Sequence, residues 1–245
     1  MADPVRIAMW SGPRNISTAM MRSFENRRDT AVHDEPFYAC FLDATGIDHP
    51  GREATLAACE RDPDVVARSL IGRVPHGRDV YYQKHMTHHM VDGIPLDWMT
   101  GVRHAFLIRD PKDVILSYIQ RRADMTAEDI GFERQTELFD HVVELTGRIP
   151  PVMDARDVQT DPRGMLTALC ERLRIPFDEA MLAWPAGSRV TDGVWARYWY
   201  DAVERSTGFA PYRPKTRDVP AAYREIEAFC RPFYERMARH ALRPA

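Results

Sequence analysis

Short apolar runs separated by longer amphipathic stretches set the pattern of this chain. Val5–Trp10 reads VRIAMW, and the Ser-Gly-Pro that follows it stops the run, so a buried strand is predicted there. From Ser17 the residues STAMMRSFENRR have helical composition, with Ser17 or a neighbour placed to cap the helix. Four more short runs, Thr30–His33, Asp79–Lys84, His104–Ile108 and Pro151–Asp154, predict four further strands. Helices are expected over Val65–Ile71, from Pro111 to about Arg122, and over Glu133–Arg148. Asp110 is the expected N-cap of the second of these, with Pro111 at its first position. Another helix opens at Asp161-Pro162, with Met165, Leu166, Leu169, Cys170 and Leu173 on one face. A last one runs from Pro220 to about Arg239, with a kink expected at Pro232. Short strands alternating with helices define an α/β protein, a parallel sheet with helices on both faces. Such sheets bind ligands beyond the carboxyl ends of their strands, so the chemistry is sought in the loops there.

The loop after the first strand reads Ser11-Gly12-Pro13-Arg14-Asn15-Ile16-Ser17-Thr18. A strand, a glycine loop and a helix N-terminus turn several backbone N–H groups toward one point, which suits a phosphate-like anion. Ser17 and Thr18 would add hydroxyl donors and Arg14 a cation. An ATPase loop needs a Gly-Lys pair followed by Ser or Thr, and that pair is missing. The first lysine of the chain is Lys84. A plain strand-to-helix turn is the competing reading.

The loop after the fourth strand continues as Arg109-Asp110-Pro111-Lys112-Asp113-Val114-Ile115-Leu116-Ser117-Tyr118. Arg109 leaves a strand end and Ser117 follows about two helical turns later. Asp113 and Ser117, four residues apart, share a helix face. Arg109 and Ser117 could therefore grip a second phosphate, which a planar guanidinium meets with two parallel bonds. A capped helix with a surface ion pair accounts for Lys112 but poorly for Arg109.

Composition narrows the reading. With 245 residues and 44% hydrophobic positions, the chain can build a core without metal or disulfide staples. It is read as one domain spanning 1–245. A formal charge of −3 gives no basic field for nucleic acid. No apolar stretch is long enough for a membrane span and no secretory signal opens the chain, so a cytoplasmic location is expected. Cys40, Cys59, Cys170 and Cys230 are scattered, as reduced structural thiols would be. Of the 33 basic residues only Lys84, Lys112 and Lys215 are lysines, a bias that codon usage explains, but two of the three fall in strand-end segments.

Together the two loops resemble those of the sulfotransferase family. The resemblance implies a P-loop NTPase-like three-layer sandwich, a central parallel sheet of about five strands with helices on both faces. It also implies 3′-phosphoadenosine-5′-phosphosulfate as co-substrate, with no metal. Gly12, Pro13, Arg14, Asn15, Ile16, Ser17 and Thr18 are similar to the 5′-phosphosulfate loop, with Asn15-Ile16 in place of the usual Ser-Gly. Arg109 and Ser117 take the 3′-phosphate positions. Asp161–Phe177 looks like the helix before the C-terminal cofactor loop. Gly187–Tyr200, with Arg189, Asp192, Gly193 and Trp195, is similar to the loop that closes over the nucleotide. The words DEPFYA and STGF resemble a bacterial and plant branch, in which plant members can be fused to an aminotransferase-like domain. Three lysines in the whole chain leave little scope for a Schiff-base site here.

Sulfuryl transfer needs the donor held, the leaving phosphate stabilised and a proton taken from an acceptor hydroxyl or amine. Arg14 serves the leaving group. Lys84 resembles the lysine of the family's Lys-Thr-His segment and would face the sulfuryl oxygens. Glu35, at the end of the second strand, is the first candidate base, with His85 and His88 as alternatives. The family's histidine position falls on Met86. The histidines at 85, 88 and 89 lack a fourth partner at a metal-ligand spacing, so a metal role is not assigned to them. The aromatic residues of Val194–Tyr200, and Phe37 with Tyr38, either wall the acceptor pocket, stack on adenine or pack a core. The acceptor is expected to be a small or conjugated hydroxyl compound. A non-catalytic adenosine 3′,5′-bisphosphate binder and a P-loop-like nucleotide phosphotransferase are the alternatives.

Overall fold

The computed structural model describes residues 3–245. Five strands form one sheet: β1 (Val5–Ser11), β2 (Thr30–Asp34), β3 (Val80–Met86), β4 (Arg103–Ile108) and β5 (Val152–Asp154). Their order is β2-β3-β1-β4-β5, and every pair is parallel. Helices α1 (Ser17–Glu25), α2 (Tyr38–Thr45), α3 (Arg52–Ala58), α4 (Pro63–Ile71), α5 (Pro111–Tyr118), α6 (Ala127–Ile130) and α7 (Phe132–Thr146) follow the chain. After β5 come α8 (Ala155–Thr160), α9 (Pro162–Arg172), α10 (Ala196–Trp199), α11 (Asp201–Glu204) and α12 (Arg224–Ala238).

Strand alternation divides the core into two layers. Ile7 and Met9 of β1 and Ala105 and Leu107 of β4 pack with Met20, Met21 and Phe24 of α1 and Met165, Leu166 and Leu169 of α9. The intervening Ala8, Trp10, Phe106 and Ile108 face the other way, onto Val66 and Leu70 of α4 and Leu138, Phe139 and Val142 of α7. Each of these larger side chains contributes roughly 1.5–3 kcal/mol by leaving water. The three-layer α/β architecture expected from the alternation is the one observed.

Details differ at the ends. β3 runs two residues beyond Lys84, because Met86 still pairs with Ser11 of β1. Helix α5 has the expected Asp110 cap, which accepts from the Lys112 N–H at 2.8 Å, but it stops at Tyr118. Ser17 is the first helical residue of α1, while Ile16 holds the cap position without a side-chain bond. Helix α12 begins at Arg224 and continues through Pro232. All four cysteines are unpaired, and no helix is long and apolar enough to cross a membrane among the described residues.

Candidate active site

The carboxyl ends of β1, β2, β3 and β4 open onto one cleft of about 300 Å³. One wall is the loop after β1. Arg14 sits there with φ +56°, a left-handed backbone that a β-carbon disfavours and that tertiary contacts must hold. The contacts are present. Arg109 Nη1 donates to the Arg14 carbonyl at 2.8 Å, and Asn15 Nδ2 donates to the Leu107 carbonyl of β4 at 3.0 Å. Asn15 Oδ1 also accepts from the Ile16 N–H at 2.9 Å. The loop is further fixed at Gly12, where a β-carbon would stand 2.7 Å from the carbonyl oxygen of Ile130.

The two sequence motifs meet at this wall. Arg14 Nε donates to Ser117 Oγ at 3.1 Å, bridging loop and helix α5. Arg109 Nη2 lies 3.7 Å from Asp113, one helical turn before Ser117. Burial, then the charges of Arg121 and Arg109, push the Arg14 guanidinium below its ordinary value. A site that crowds cations in this way gains stability when an anion enters. Pro13, Arg14, Asn15, Ile16, Ser17, Thr18, Arg109 and Ser117 all line the cleft.

The opposite wall follows from register. Asp34 of β2 is paired with Lys84 of β3, so both side chains leave the sheet on one face. Lys84 Nζ donates to Asp34 Oδ1 at 2.9 Å, to Glu35 Oε1 at 2.5 Å and to the Tyr200 hydroxyl at 2.6 Å. Glu35 has φ +46°, the second strained backbone in the cleft. Burial raises its carboxyl above the ordinary range, Lys84 opposes this, and Asp34 adds to it. Burial also opposes the Lys84 ammonium, but Asp34, Glu35 and Tyr200 together outweigh it and carry Lys84 well above its ordinary value.

Part of the remaining surface is aromatic and imidazole, from Tyr38, His49, His88, His89, Tyr118 and Trp199, and part comes from Gln159 and the stretch between Ala202 and Ala210. His88 and His89 are held neutral, first by burial, with His88 pushed down to about 3. The His89 ring stacks on Tyr38 at 4.6 Å between centroids. Among the described residues no group of three His, Cys, Asp or Glu side chains is arranged for a metal ion.

Of the sequence candidates, Glu35, Lys84, Arg14 and His88 reach the cleft, and His85 does not. His85 follows Lys84 and so leaves the opposite face of β3, paired with Trp10 of β1. It stacks on Trp10 at 4.5 Å and on Trp98 at 5.1 Å, inside the second core layer. Arg189 is also outside the lining. Its side chain donates to the Pro185 carbonyl and stands 3.7 Å from Glu25. Met86 lines the cleft at the position where the resemblance placed a histidine. Asp34 and Tyr200 were not singled out by the sequence as partners of Lys84. The signal for Asp34 was available, since it closes a strand next to Glu35, whereas Tyr200 arrives from more than a hundred residues away. Trp199 and Tyr200 line the cleft, and Trp195 beside them is buried in an aromatic cluster.

A parallel sheet with a glycine loop after its first strand, and an arginine at the end of an inner strand beside that loop, is a P-loop-like α/β architecture. The family model described as "Sulfotransferase domain" matches residues 5–241, and the chain belongs to that family. It is 36% identical over 241 residues to branched-chain-amino-acid aminotransferase-like protein 1 of Arabidopsis thaliana, covering 98% of this chain and 43% of that protein. The figures for protein 2 of the same name are 32% over 234 residues, 96% and 41%. The chain thus spans less than half the length of these relatives. Among solved structures, a sulfotransferase domain from the curacin biosynthetic pathway superimposes with TM-score 0.56 at 15% identity, covering 94% of this chain and 98% of the other. A sulfotransferase from Alicyclobacillus acidocaldarius gives 0.54 at 14%, covering 98% and 96%. These likenesses show the fold, and the family is that of the sulfotransferase domain.

Proposed function

We propose that this protein transfers a sulfuryl group from 3′-phosphoadenosine-5′-phosphosulfate to the hydroxyl or amine of a small or conjugated acceptor. The observation that carries the reading is the contact between the two anion motifs, Arg14 with Ser117 and Arg109 with the Arg14 carbonyl, in the same cleft as the Lys84–Glu35 pair. A donor with one phosphate at each end of a ribose needs two clamps at fixed separation. In-line transfer needs a proton acceptor on the far side. In this reading Gly12 to Thr18 hold the 5′-phosphosulfate, and Arg109 and Ser117 hold the 3′-phosphate. Arg14 stabilises charge developing on the leaving phosphate. Glu35 takes the acceptor's proton, its carboxyl raised toward the working range as a general base requires. Lys84 orients Glu35 and faces the transferring group. The neutral histidines and aromatic residues on the same side line the acceptor subsite and exclude water from it.

Isothermal titration with adenosine 3′,5′-bisphosphate, against ATP with magnesium, tests the donor assignment. Tight binding of the bisphosphate and weak binding of ATP is expected. The reverse order would favour a nucleotide phosphotransferase.

A further inference from the structure

Two carboxylates share one ammonium at the floor of the cleft, and their shares are unequal. An ammonium has three N–H donors, and all three of Lys84 are engaged, with Asp34, Glu35 and Tyr200. Asp34 collects more than its bond from Lys84. It also accepts the Tyr200 hydroxyl, 2.7 Å from Oδ2, and the Gly193 N–H at 3.1 Å. Glu35 accepts from Lys84 on Oε1, and the nearby Tyr200 hydroxyl, which also opposes the burial-driven rise of the Glu35 carboxyl, directs its single proton to Asp34. Glu35 Oε2 lies 4.0 Å from Nε2 of His89, beyond hydrogen-bond range. Asp34 is therefore saturated with donors, and Glu35 keeps an oxygen for an incoming proton.

We propose that Asp34 is a positioning residue of the reaction: it supplies the standing counter-charge of Lys84 and, through Tyr200 and Gly193, ties the segment 193–200 to the end of β2, which leaves Glu35 available as the base. This rests on the reading of Glu35 as proton acceptor given above. The groups that face Glu35 are Asp34 from β2, Lys84 from β3, His89 from the turn after β3, Tyr38 from α2 and Tyr200 after α10. His89 is neutral through burial, and burial pushes both tyrosines up so that they also stay neutral. Of these facing groups only Lys84 and Asp34 bear charge, and they act on Glu35 in opposite directions. Removing the Asp34 charge leaves the ammonium with one carboxylate, Glu35, and binds that carboxylate into a closed ion pair. A base so held gives up its basicity and its freedom to turn toward an acceptor.

The test reads Glu35 itself, in the whole ligand-free protein. Its side-chain carboxyl is followed by carbon-13 NMR across pH and assigned by its loss in Glu35→Gln. Asp34→Asn is expected to lower the Glu35 midpoint by about one pH unit or more, the size of effect of an opposite charge at contact range. A midpoint unmoved or raised would overturn the proposal. A merely structural Asp34 would change stability and leave the midpoint in place. Should Asp34→Asn not fold, Lys84→Met is compared with the charge-balanced Lys84→Met/Asp34→Asn pair. The double variant is expected to titrate lower than Lys84→Met alone, and equal midpoints would overturn the proposal. Because no turnover is needed, the outcomes separate. A midpoint that moves as expected in a protein that transfers no sulfate keeps the charge balance and removes the reaction, and transfer with an unmoved midpoint does the reverse.

Discussion

Replacing Arg109 by alanine tests the donor cleft at the point where its two motifs join. Arg109 Nη1 donates to the carbonyl of Arg14 at 2.8 Å, so it braces a left-handed residue in the loop after β1. Nη2 remains within 3.7 Å of Asp113 and on the side of Ser117 where the 3′-phosphate is proposed to lie. Two losses follow from truncation. A brace to a neutral carbonyl is worth roughly 0.5–1.5 kcal/mol and a charge-assisted contact to phosphate roughly 1.5–3 kcal/mol. Together they amount to about 2–4.5 kcal/mol, or a dissociation constant for adenosine 3′,5′-bisphosphate weakened about 30- to 1,600-fold. Isothermal titration at fixed low salt measures it, with thermal melting to show that the variant is folded. Arg109→Lys is expected to recover charge but not the planar fork, and so to fall between wild type and alanine. Lys112 lies three residues on in the same motif, but its Nζ faces the exposed Asp218 at 3.6 Å. Lys112→Ala should therefore leave the constant within about twofold, as a surface ion pair contributes little. An unchanged constant for Arg109→Ala, or an equal loss for Lys112→Ala, would refute the reasoning.

Three further outcomes follow from the same geometry. Glu35→Gln keeps shape and removes the proton acceptor, so transfer should fall by about 10²- to 10⁴-fold while bisphosphate affinity holds. Only the carboxylate accepts a proton, and burial raises this one, so the wild-type rate should climb with pH through a midpoint above the ordinary ~4.3 of glutamate; a rate flat across that range counts against Glu35. Gly12→Ala drives a β-carbon to 2.7 Å from the Ile130 carbonyl and should cost about 1–3 kcal/mol of stability in urea unfolding, whereas an unshifted midpoint would mean that the loop yields freely. His85→Phe keeps an aromatic ring between Trp10 and Trp98 and should retain the transfer rate, and its loss would return His85 to the chemistry.

The strand-and-helix alternation was readable because each buried strand is short and ends in a turn signal. Ser11-Gly12-Pro13 closes β1, and Asp110-Pro111 both ends β4 and caps α5. The wall of the cleft built from Arg14, Arg109 and Ser117 was readable for the same reason: its residues sit in two contiguous segments. Helices α2 and α3 carried no clear period and were not predicted. Helix α2 is buried along most of its length, which removes the polar face that marks an amphipathic helix. The wall around Lys84 and Glu35 depends on long-range register. That Lys84 and His85 point to opposite faces follows from β3 extending to Met86, and that extension depends on pairing with β1. The Tyr200 bond to Asp34 joins residues 166 apart in sequence, a contact that no local pattern records. Arg189 looked like a nucleotide contact from its neighbours, but α1 supplies Glu25 beside it and its guanidinium turns there.

The most direct measurement follows labelled sulfate. The protein is incubated with 3′-phosphoadenosine-5′-phospho[35S]sulfate and a panel of small hydroxyl and amine acceptors, with Glu35→Gln alongside. The account predicts label transferred to at least one acceptor by the wild-type protein and lost in the variant, with one adenosine 3′,5′-bisphosphate released per sulfate moved. Tight bisphosphate binding with no label on any acceptor, and no difference between wild type and Glu35→Gln, would contradict it and leave a nucleotide-binding protein without turnover.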